Sequence, residues 1–131
     1  MVKKKNDVPE TSTVPEPTLI ETTDYESNLR ANLEEIKKYD GVVGYILRNT
    51  TSASIDLKEP AKIIDYAILS SATFDATEEV SDVFELGTLK NIIVNGKNVK
   101  MLSLTVEQNK ISIFMQNNAD IEKVLEKLKT Y

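Results

Sequence analysis

Asp75, Glu78, Asp82 and Glu85 recur at spacings of three and four residues. On a helix turning about 100° per residue, that spacing sets all four carboxylates on one stripe. Such a stripe could hold a cation, move protons or face a basic partner. A calcium site draws its oxygens from a loop with a glycine at its sharp turn, and no such loop surrounds these acids, so no metal is expected. Adjacent carboxylates such as Glu78 and Glu79 are ordinary on helix surfaces, and no nucleophile or base stands at a recognisable spacing from them. Two readings remain: a solvated helix face, or an acidic surface turned toward a partner.

Composition narrows the chemistry further. The chain contains no cysteine and no histidine, which excludes disulfides, cysteine-bearing zinc sites, thiol nucleophiles and imidazole acid-base catalysis. No phosphate-binding glycine loop, nucleophile elbow or H-E-x-x-H helix occurs, and "VNGKN" reads as a hairpin turn. Asn49-Thr50-Thr51 matches a glycosylation acceptor but reads as turn chemistry. No cofactor is expected, and an enzyme is not the expected answer.

The elements that carry these residues follow from periodicity. From Thr23 or Asp24, Tyr25, Leu29, Leu33 and Ile36 recur at helical spacing with charged residues between them, predicting a helix that Asp40-Gly41 terminates. A strand follows directly, Val42 to Arg48, then a turn at "NTTS" and a short strand from Ala53 to Leu57. Pro60 opens a long helix reaching about Leu86, with Gly87 as its cap. Three strands come next, 89–94, 98–106 and 111–116, joined by a primed-type turn at Asn95-Gly96 and a reversal at "EQNK". A last helix spans about Ala119 to Lys129, with Ile121, Val124, Leu125 and Leu128 inward.

The strands also report how many layers there are. "VVGYIL", "NIIV" and "ISIFM" carry large apolar groups on both sides, whereas Ala53 to Leu57 alternates. A three-layer α/β/α fold follows, built on a five-stranded antiparallel sheet in the order helix-strand-strand-helix-strand-strand-strand-helix, with the alternating strand at an edge. Gly44, inside the first strand, would let a helix backbone approach the sheet. The first and last helices would share one face. The long helix, about 10 Å across, cannot alone cover five strands set about 4.8 Å apart, and a second copy is the simplest way to finish that layer. Its apolar residues also change side. Ile63, Ile64, Ala67, Ile68 and Phe74 fall on one arc, whereas Ala76, Val80 and Val83 fall opposite. Either the helix kinks near Phe74 to Ala76, or it is straight with one face for its own sheet and one for a partner. In the second case Ala76, Val80 and Val83, with Leu89, Asn91, Ile92 and Ile93 of the third strand, form a dimer interface.

The net charge of −5 argues against nucleic-acid binding, which requires clustered cations. No run is long enough for stable membrane insertion, and a cytoplasmic protein is the expectation. Residues 1–22 hold Pro9, Pro15 and Pro17 among many polar groups and read as a disordered tail ahead of a domain spanning 23–131. Lys3, Lys4 and Lys5 give at most a weak tether to acidic lipid.

The element order, the "DGVVGYIL" entry to the first strand and the block "FELGTLKNIIVNGKNVKMLSLTVEQNKISIFM" resemble the roadblock/dynein light chain family over residues 24–131. Gly41, Val42, Gly44 and Gly87 match the family pattern. The first hairpin departs from it, with "RNTTSAS" where many members carry an Asp-Gly turn. The resemblance implies a non-catalytic homodimer or heterodimer with a related roadblock protein, joined through the third strand and the long helices. It also implies a platform for a small Ras-like GTPase or an adaptor subunit. The alternative is a small-molecule sensor with a PAS- or profilin-like fold, for which the strands offer Ser103, Ser112 and Asn91 as polar lining.

Overall fold

The computed structural model describes residues 24–129; the tail expected over 1–22 lies outside them. Helix α1 runs Asp24–Ile36, strands β1 and β2 span Val42–Arg48 and Ala53–Leu57, and a single 3₁₀ turn at Pro60–Lys62 leads into helix α2, Ile63–Phe84. Strands β3 (Ile92–Asn95), β4 (Val99–Val106) and β5 (Asn109–Gln116) precede helix α3, Ile121–Leu128. All five strands form one antiparallel sheet in the order β2-β1-β5-β4-β3. The alternating strand is an edge, as its pattern requires, and β3 is the other.

α1 and α3 lie together on one face. Leu29, Leu33 and Ile36 of α1 and Val124 and Leu128 of α3 pack with Val42, Tyr45, Leu47, Ile111, Ile113 and Met115 of the sheet. Burying each large apolar chain contributes about 1.5–3 kcal/mol. Asn32 donates to the Lys127 carbonyl at 3.3 Å, and Lys127 reaches Glu35 at 2.7 Å, which ties the two helices together. α3 starts where Asp120 accepts from the Lys123 amide, an N-cap that satisfies one orphan donor. α2 lies on the opposite face above Val43, Ile46, Met101 and Phe114, with Tyr66 stacked on Phe114 at 4.4 Å.

Local expectations fail at the glycines. α1 stops at Ile36, and residues 37–41 turn the chain from the helix layer into the sheet. Gly41, at φ +85, therefore closes that turn rather than capping the helix. At the end of α2 the left-handed position belongs to Glu85, φ 54, whose amide returns to Asp82; Gly87 follows two residues later. Gly44 has a different neighbour from the one expected. A Cβ there would stand 2.1 Å from the Asp56 carbonyl and 2.7 Å from Leu57 Cα, so the close approach is made by β2, not by a helix. It sits at a bulge where the β1–β5 register shifts between Val42 and Gly44. The β3–β4 hairpin exists, but Gly96 pairs its amide with Val99 and the turn passes through Lys97-Asn98, with no positive φ at either. Gly96 is required because a Cβ would meet the Val99 carbonyl at 2.7 Å. The side-chain Oδ1 of Asn49 accepts from the backbone amides of Thr51 and Ser52, both at 2.9 Å, which makes "NTTS" a side-chain-closed turn.

Candidate functional site

α2 is one continuous helix of 22 residues, so its change of apolar side is not a break. Tyr66, Ser70 and Phe74 are its buried residues, with Ile63 and Ala67 half-buried beside them. Small residues bring it down onto the sheet: Ser70 Oγ lies 2.6 Å from Ser112 Oγ, and Ser112 Oγ lies 2.7 Å from Ser103 Oγ. Ser103 and Ser112 are register partners on β4 and β5. A chain of three buried hydroxyls thus satisfies itself under the helix, as buried polar groups must. Ser103 and Ser112, expected as polar lining for a sensor cavity, are instead fully buried and bonded to each other, whereas Asn91 is exposed.

One expectation about the helix is corrected. Ile64 and Ile68, placed on the inward arc, are 72% and 63% exposed, and the inward role falls to Tyr66 and Ser70. A polar serine and a tyrosine were hard to choose over isoleucines from hydropathy alone. Beyond Phe74 no residue of α2 is buried. Val80 is exposed, Val83 and Phe84 are each 68% exposed, and Leu86 just after the helix is also exposed. Ala76 is exposed on the same flank as Val80 and Val83.

Of the remaining predicted residues, Glu78, Asp82, Leu89, Asn91 and Ile92 come together near the end of α2, and Ile93, Asp75 and Glu85 do not. β3 begins at Ile92, so Leu89 and Asn91 lie in the connection before it rather than in the strand. Ile92 is half-buried and Ile93, on the other side of β3, is 43% exposed. β3 hydrogen-bonds to β4 alone among the described strands. A cleft of about 280 Å³ joins helix to strand, with Glu78 and Asp82 from α2 and Leu89, Asn91 and Ile92 from the connection and β3 among its lining residues. Asp75 and Glu85 are exposed outside it. Among the described residues no three carboxylates converge as a metal site would require.

Sequence reasoning missed the sheet-end cations. Arg48 and Lys110 are direct register partners on β1 and β5, and both sit over the Phe74 ring, at 5.7 and 5.5 Å from its centroid. Their separation of 62 positions hid the pairing; only a strand register could have revealed it.

On the two-helix face, Tyr45 donates to Glu34 at 2.6 Å. Burial, then that hydrogen bond, pushes the phenol well above its ordinary range. Lys37 bridges Asp56 of β2 and Glu34, and the bond to Asp56 raises its ammonium.

No protein-family model and no curated protein sequence matches the chain. Solved structures do. A roadblock/LC7 domain from Streptomyces avermitilis superposes with a TM-score of 0.62 over 82% of this chain and 91% of that one, at 11% identity. The fold is the roadblock fold. MglB of Myxococcus xanthus gives 0.64 over 83% of this chain and 85% of its own, at 11% identity. The gliding protein MglB of Thermus thermophilus gives 0.62 over 83% and 86%, at 15% identity. α2 and β3 are consecutive elements, so the exposed α2 flank and the β3 edge belong to one continuous segment of this chain. Among the described residues no helix is long and apolar enough to cross a membrane.

Proposed function

We propose that the chain is a non-catalytic, dimeric interaction module of the cytoplasm that binds and regulates a small Ras-like GTPase. One observation carries the reading: among the described residues α2 alone covers its face of the sheet, and the outer edge of β3 pairs with no strand. Among the described residues, fourteen buried side chains make the core beneath α1 and α3, but only six make the core beneath α2. An exposed apolar flank next to an open strand edge marks a protein contact. A second copy, or a related roadblock protein, would extend the sheet through β3 and lay its own long helix beside α2. That is the pairing the roadblock resemblance implies, and the same resemblance supports a GTPase as the partner of the pair. Asp75 and Glu85 would then be a solvated or partner-facing rim.

The GTPase is tested by capture on the immobilised full chain from native lysate, with GDP or a non-hydrolysable GTP analogue added. A Ras-like GTPase retained in one nucleotide state supports the proposal. Capture that ignores nucleotide, or contains no GTPase, contradicts it.

A further inference from the structure

The cleft under the C-terminal half of α2 is bounded by opposite charges that do not meet. Glu78 and Asp82 line it from the helix and Lys110 lines it from β5, yet neither carboxylate is within salt-bridge distance of the ammonium. Thr77 and Ser81 contribute hydroxyls from the helix and Thr105 another from β4. Lys110 also faces a like charge, Arg48, directly across the strand pair, an arrangement that destabilises a sheet unless an anion offsets it. Neither cation forms a salt bridge to a carboxylate of the described residues. What they share is the Phe74 ring, which attracts a cation but neutralises none of its charge.

We propose that this cleft binds a small dipolar molecule, with an anionic and a cationic group on an apolar frame, of which an α-amino acid with an apolar side chain is the simplest. Its anionic group would sit against Lys110 with the Thr105 hydroxyl, in the field of Arg48. Its cationic group would face Glu78 and Asp82, and its apolar part would lie on Phe74, Leu89 and Ile92. The volume of about 280 Å³ falls just below the range of drug-sized ligand pockets, about 300–1,000 Å³, which suits a small molecule and is too small for a dinucleotide. A polyanion is disfavoured by the two carboxylates and by the net charge of −5. The site is built from residues of a single chain and does not depend on the GTPase, but Leu89, Asn91 and Ile92 of its lining also belong to the proposed dimer contact, so the charge variants are made at Lys110, Glu78 and Asp82, outside that contact.

The test is an amide NMR titration of the full chain with leucine, phenylalanine and serine, and with N-acetyl-leucine and leucine amide, which each lack one charge. The expected result is saturable shifts at Ser81, Thr105 and Lys110 with leucine or phenylalanine. Binding should be weaker by about tenfold or more for both capped forms and for serine. Lys110→Gln, and separately Glu78→Gln with Asp82→Asn, should weaken binding by a similar factor while the melting temperature moves little. No saturable shift up to about 10 mM overturns the proposal. So do equal shifts from a capped form, or unchanged affinity in the charge variants. Light scattering alongside the titration reports assembly separately, so a failure here is distinct from a failure of the dimer.

Discussion

At Gly44 the space for a side chain is already taken by a neighbouring backbone, 2.1 Å from where a Cβ would stand. Gly44→Ala must push β2 away from β1, and it should cost on the order of 3 kcal/mol in denaturant unfolding. Gly87→Ala meets nothing within 4 Å and has only its φ of +74 against it, a penalty of about 1–2 kcal/mol. The sequence marked both positions as special, but not what approaches them, because that depends on which strand pairs beside the glycine. Tyr45 carries a second residue-scale consequence. Its folded-state pKa is raised, first by burial and then by its bond to Glu34. The stability this confers is therefore present below the ordinary tyrosine value of 10.0 and is lost as pH rises above it. Unfolding experiments across that range should show alkaline destabilisation, and Tyr45→Phe should flatten it. For Glu35 the sign is opposite. The hydrogen bond from Lys127 holds its carboxyl below the usual range, so its contribution is lost on acidification, and Glu35→Gln should weaken the acid limb of the same profile.

Among the elements, α2 shows most clearly what periodicity can and cannot tell. Its length and its two apolar sides were legible, since Val80 and Val83 do fall away from the buried line through Ser70 and Phe74. The inward choice in its first half was not, because the sheet below presents Ser103 and Ser112. A small polar surface admits Ser70 closely and sends the bulkier Ile64 and Ile68 outward. Ser112→Ala removes the middle hydroxyl and leaves Ser70 and Ser103 without their shared partner, so it should cost about 1–3 kcal/mol. Ser112→Ala with Ser70→Ala and Ser103→Ala should cost less than the sum of the three singles, the non-additivity expected of one network. Strand identity and edge placement were readable from alternation in β2 and from its absence in β1 and β5. The turn residues were less so: the helix ends at Ile36 and Phe84 fall before the glycines because the chain needs several residues to cross between layers.

On the scale of the whole molecule, the two faces of the sheet are unequal. Two helices cover one face, whereas on the other α2 leaves Val83 and Phe84 each 68% exposed, and among the described residues the outer edge of β3 pairs with no strand. That α2 alone leaves part of its sheet face uncovered could be argued from helix width; the Arg48–Lys110–Phe74 cluster and the cleft beside it could not, since both arise from register. The central claim is that a second copy covers the α2 flank and pairs with β3. The most direct test is the mass of the full chain by light scattering at micromolar concentration, alone and as the Val83→Glu and Ile92→Pro variants. Val83 is exposed within one chain, so its replacement should leave the fold intact, within about 0.5 kcal/mol. A charge placed in an apolar contact should nonetheless separate the copies. Ile92→Pro removes a donor from β3 and should weaken the pair by a second route. Given a chain of 14.7 kDa, the account predicts twice that mass for the native protein and the single-chain mass for folded Val83→Glu. A native protein that stays at 14.7 kDa as concentration rises, or a Val83→Glu variant that remains fully paired, would contradict it.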